Sequence, residues 1–92
     1  MEKLQKLELM DKIKRELDDL KNSQTAVLKK LAQIEAHNIT LGVSLLDKKL
    51  PDLHEEINSS VEIVTGLLDE FTLHRDEFYE KNNLAALQNP TV

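Results

Sequence analysis

Cysteine and tryptophan are missing from this chain, and glycine and proline occur twice each. Without cysteine there is no disulfide framework, no thiolate zinc site and no cysteine nucleophile. Aromatic residues make up only 3% of the composition. Few aromatics and few glycines leave a sheet without its favoured side chains and tight turns. No apolar run approaches the roughly 18–20 residues that cross a bilayer. Patches such as Leu45-Leu46 and Leu67-Leu68 are pairs, and the apolar group Leu84-Ala85-Ala86-Leu87 reaches only four residues. Met1-Glu2-Lys3-Leu4 lacks the apolar core of a signal peptide. A cytoplasmic location without membrane insertion is the expectation, and the glycosylation-like triplets Asn38-Ile39-Thr40 and Asn58-Ser59-Ser60 then read as chance.

Cations are scarce in one half only. Residues 1–50 hold ten Lys/Arg and eight Asp/Glu, whereas residues 51–92 hold two and nine, within a formal net charge of −5. The asymmetry favours folding the acidic half along the slightly basic one. It speaks against nucleic acid as partner, because phosphate binding needs a concentrated basic face. The doublets Lys14-Arg15, Lys29-Lys30 and Lys48-Lys49 have no aromatic residues interleaved and read as solvated helix faces.

What is abundant is leucine, isoleucine and valine at steps of three and four. With Met10 as heptad position a, the a sites are Met10, Leu17, Gln24, Leu31, Asn38 and Leu45. The d sites are Ile13, Leu20, Val27, Ile34, Leu41 and Lys48. About five heptads in phase predict a coiled-coil-like helix over about 2–50, roughly 55–60 Å long. Glu16 and Lys30 at g suit Lys21 and Glu35 at e across a parallel seam. The polar a sites Gln24 and Asn38 carry two readings of equal weight: they set register and partner, or they mark exposure or a break. Residues 22–25 and 38–43 are the places where a break would fall, and the unbroken three–four phase argues for continuity.

Leu50-Pro51-Asp52 predicts the turn, since proline disfavours helix at the residue before it. Asp52 with Glu55 makes a capping-box-like start to a second helix over about 52–82. Its stripe is Leu53, Ile57, Val61/Val64, Leu67/Leu68 and Phe71, continued by Phe78. Residues 84–92 read as a tail, so that 1–83 form one helical domain. The fold class is all-α: an antiparallel hairpin of two helices, expected to assemble into an oligomeric bundle. Helix 2 would lie on about residues 27–50. Residues 1–20 would then project, exposing Leu4, Leu7, Met10, Ile13, Leu17 and Leu20.

No catalytic constellation emerges, and no metal or cofactor is expected. His54-Glu55-Glu56-Ile57-Asn58 lacks the second histidine of a zinc-protease helix. Glu70, His74 and Glu77 share a helix face, but no matching Glu-x-x-His exists elsewhere. Glu16-x-x-Asp19 and Glu77-x-x-Glu80 stand alone, short of the converging oxygens magnesium needs. The pattern resembles coiled-coil adaptor and assembly subunits in helix grammar alone, which unrelated proteins share. The expected function is therefore a non-enzymatic interaction module that oligomerises through Met10, Ile13, Leu17, Leu20, Gln24, Val27, Leu31, Ile34 and Asn38. Its partner is itself or another coiled-coil protein. The alternative is a small acidic inhibitor or regulator whose Asp69, Glu70, Asp76, Glu77 and Glu80 fit a basic groove.

Overall fold

A computed structural model describes residues 2–88. Two long helices, α1 (Lys3–Leu41) and α2 (Ser44–Lys81), lie antiparallel, and a short α3 (Leu84–Gln88) closes the open end. Among the described residues there is no strand. The hairpin measures 69 × 18 × 17 Å, with a radius of gyration of 20.3 Å. A compact domain of this length would have a radius near 12 Å.

The chain reverses at Gly42-Val43 and not at Pro51, so α1 ends nine residues before the expected position and α2 begins earlier. The reason is local. Gly42 adopts φ +71°, the left-handed region, and its N–H donates to the Asn38 carbonyl at 2.7 Å. Asn38 then clamps the turn with its side chain. Its Oδ1 accepts from Val43 N–H at 2.9 Å, and its Nδ2 donates to Val43 O at 3.3 Å and Asp47 Oδ1 at 2.8 Å. Asn38 is 4% exposed. The polar a site is thus satisfied inside the turn of its own chain. The stretch 22–25 stays helical as expected, whereas 38–43 holds the break.

Pro51 sits inside α2, two turns from its start. Its ring removes one donor, which orphans the Asp47 carbonyl. Asp47 is exposed, so water can satisfy that carbonyl. A proline this early in a helix that is pinned at its first turn is endured, although it would end an unsupported one.

Equal helices leave no projecting arm. α1 has 39 residues and α2 has 38, so residues 3–20 lie along the C-terminal half of α2. Leu7, expected to be exposed, is wholly buried, as is Leu84 of α3. Asn83 at φ +50° turns the chain so that α3 folds back over this end. Arg75 ties the same end together. Its Nε donates to Asp11 Oδ1 at 2.7 Å and its Nη2 to Asp11 Oδ2 at 3.3 Å, while the guanidinium lies 5.1 Å from the Tyr79 ring centre. The hydrogen bond to Asp11 raises the Arg75 pKa above its ordinary value, against a smaller opposing effect of burial. Residues 89–92 of the expected tail lie outside the described residues.

Candidate assembly face

On α1 the inward residues are the a column (Met10, Leu17, Gln24, Leu31, Asn38) and the e column (Leu7, Lys14, Lys21, Leu28, Glu35); all are half-buried or buried. On α2 the equivalent columns are Leu50, Ile57, Val64, Phe71, Phe78 and His54, Val61, Leu68, Arg75, Asn82. Three polar contacts fix the register along the seam. Asp11 meets Arg75, Gln24 Nε2 donates to Ser60 Oγ at 2.6 Å, and Glu35 Oε1 lies 2.8 Å from His54 Nδ1. Midway along, Gln24 Oε1 is buried without a partner.

The expected interaction residues therefore separate into two sets. Met10, Leu17, Gln24, Leu31 and Asn38 face α2 within the same chain. Ile13, Leu20, Val27 and Ile34 do not; they are between 36 and 50% exposed. The cause lies in the e column. Lys14, Lys21 and Glu35 carry charge, which marks them for solvent in a sequence. In the hairpin the lysines are half-buried, which their long apolar stems tolerate, and Glu35 lies beside His54. Seating a and e against α2 turns d outward. It also occupies Lys21 and Glu35, the e residues that a parallel seam would have set against Glu16 and Lys30.

The direction of that column follows from helix geometry. At about 100° per residue, d lies roughly 80° from the middle of an a/e face. Reversing the chain direction on α2 mirrors the sense of rotation, so the corresponding column of α2 points to the same side. That column is Leu46, Leu53, Ser60, Leu67 and His74. Leu53 and Leu67 are 49% and 46% exposed. Ser60, whose hydroxyl meets the a residue Gln24, confirms that this column borders the α1 seam on its a side. The hairpin thus carries an apolar face two helices wide. The Arg75–Asp11 pair belongs to the other face, with Asp18, Thr65 and Thr72, and a groove there mixes Lys14 and Arg15 with Asp18, Asp19 and Asp69.

The two faces differ in kind. Most of the exposed leucine, isoleucine and valine gather on one, while carboxylates, hydroxyls and cations dominate the other, where Ile39 at 87% exposed is the apolar exception; exposed Leu73 lies on the back of α2, outside both. Among the described residues, no three His, Asp or Glu side chains converge to hold a metal ion. His74 stacks beside Phe71 at 6.3 Å between ring centres, and His54 is engaged by Glu35. No described helix is long and apolar enough to cross a membrane. Compared with protein-family models, curated proteins and solved structures, the chain matches none.

Proposed function

We propose that this chain is a non-enzymatic assembly module, which oligomerises by burying the outward d columns of its hairpin. One observation carries the reading: Ile13, Leu20, Val27 and Ile34 of α1, with Leu53 and Leu67 of α2, stand in solvent on one side of a hairpin that is already closed. Scattered exposed leucines are ordinary, but a contiguous apolar stripe rimmed by charge marks an interaction surface. The surface area agrees. The chain exposes 7047 Å². A compact monomer of this mass exposes about 5,400 Å². The excess of about 1,600 Å² per chain exceeds the roughly 800 Å² that each partner of a standard interface gives up and falls within the share buried in a large obligate homodimer.

An acidic ligand for a basic groove draws less support. Asp76 is already bonded to Arg75 at 3.1 Å, and Asp69 lines a groove together with Lys14 and Arg15. The carboxylates of α2 do not form an uninterrupted field.

Light scattering coupled to size exclusion tests the assembly reading on the intact chain and on Leu20→Asp/Val27→Asp. The intact chain should run as a multiple of 10.5 kDa. The double variant should run as a single helical chain with an earlier thermal transition. Equal size and equal melting for the two proteins would sink the reading, because a face that is always solvated tolerates two aspartates.

A further inference from the structure

We infer that the apolar face is occupied by a second copy of this chain, laid antiparallel so that α1 packs on α1 and α2 on α2 about a two-fold axis through the Gln24–Ser60 level. This rests on the assembly reading above and specifies its partner and geometry.

The argument is one of self-complementarity. A two-fold axis perpendicular to the helices and lying in the interface sets each d column against its own reversed copy. Reversal maps a column onto itself only about particular midpoints. On α1, Ile13 meets Ile34 of the second copy and Leu20 meets Val27 when the midpoint lies between residues 23 and 24. On α2, Leu53 meets Leu67 of the second copy when the midpoint is Ser60. These midpoints are chosen independently, one by each helix. The folded hairpin puts them at the same height, because Gln24 Nε2 donates to Ser60 Oγ at 2.6 Å. One rigid hairpin can therefore satisfy both columns at once.

Charge flanking the columns agrees with the same axis. The g column borders d on the outer side, and in an antiparallel pair g faces g of the other helix. About the α1 midpoint, Glu16 stands opposite Lys30 of the second copy. About the α2 midpoint, Lys49 stands opposite Glu70. The axis repeats each pair, so every charged contact along the rim is attractive. The other closed arrangement has its two-fold axis parallel to the helices and lays α1 on α2 of the second copy. It sets Lys30 level with Glu56, but it also sets Glu16 level with Glu70, so one like-charge pair on the rim offsets the attractive one. The observed register, with Asp11 beside Arg75 and Gln24 beside Ser60, fixes that clash. The favoured assembly is an antiparallel four-helix bundle of two hairpins.

Because the chain has no cysteine, a single introduced thiol reports the geometry without background. Ser23, exposed in the g column beside the proposed axis, is the probe position. The full chain carrying Ser23→Cys, treated with a short bis-maleimide cross-linker, should give a covalent dimer. Leu9→Cys, about four turns from the axis, should give none. Glu16→Lys alone should weaken dimerisation about tenfold, since it turns two attractive contacts repulsive. Glu16→Lys/Lys30→Glu should restore it. A dimer that fails to cross-link at position 23, with no rescue by the double reversal, overturns the antiparallel arrangement and leaves the assembly reading standing. A chain that remains a single hairpin at every concentration overturns the second copy as occupant.

Discussion

Two columns of one helix, three residues apart, meet opposite fates. Leu31 at an a site is 3% exposed, and Ile34 at the next d site is 41% exposed. Both are apolar, both lie in the C-terminal third of α1, and both keep the same heptad phase. The difference arises because a two-helix hairpin has only one seam. A helix in a four-helix bundle can bury a, d and e together against two neighbours. In a lone hairpin it has one neighbour, and the column farther from that neighbour stays wet. The heptad pattern thus encodes more burial than the fold of a single chain can use.

The largest effect that separates the columns comes from truncating one residue in each. Leu31→Ala should cost about 2–5 kcal/mol, as expected for a buried leucine in a seam that cannot collapse around the gap. Ile34→Ala should cost less than about 1 kcal/mol in protein diluted until the hairpin stands alone. At concentrations where chains associate, Ile34→Ala should lose more, because the column is then buried. Urea unfolding at two protein concentrations reads both values. Equal losses for the two variants in dilute protein would erase the distinction between the columns.

Much of this was legible from sequence alone. The phase through Met10, Leu17, Gln24, Leu31 and Asn38 identifies the residues that face inward, and the low glycine and aromatic content leaves only helices. The turn was not legible, for a physical reason. Proline is a strong local signal, but its penalty is a fixed local quantity that tertiary contacts can outweigh. The contacts that outweigh it involve Asn38, whose side chain reaches three groups across the turn. Asn38 followed by Gly42 is the sequence signature of such a closure. In the sequence it reads equally as a register-setting polar heptad site or as a break within 38–43, and the unbroken three–four phase tips the balance to continuity. The facing of the d column was illegible as well, because Lys14, Lys21 and Glu35 hide an inward column behind charge.

Gly42 and Pro51 also admit a test by sign. Gly42→Ala should destabilise by about 1–2 kcal/mol, since a Cβ is disfavoured in the left-handed region. Space is not the cause, because an added Cβ meets no atom within 4 Å. Pro51→Ala should stabilise by about 1 kcal/mol, restoring the bond to the Asp47 carbonyl at some cost in unfolded-state entropy. If the chain turned at Pro51, both signs would reverse: alanine at 42 would improve a helix interior, and alanine at 51 would remove a useful stop. Thermal melts of the two variants decide between the turns.

The smallest expected change in stability falls on Gln24, the one polar residue in the middle of the inner column. Its Nε2 bonds Ser60, and its Oε1 is buried without a partner. Gln24→Leu removes that unsatisfied acceptor and loses one ordinary hydrogen bond, effects of about 1 kcal/mol that oppose each other. The melting temperature should rise slightly or stay level. The size distribution should respond more. With leucine at 24, the a and d columns together become an unbroken apolar seam from Met10 to Ile34, which suits other registers and other helix pairings as well as the hairpin. Light scattering should then show a spread of oligomers where one size is expected of the intact chain. A single unchanged size with a lower melting temperature would mean that the Gln24–Ser60 bond supports the hairpin and does not select its register. The midpoint of the molecule is where this choice has most leverage, because every other contact along the seam is counted from it.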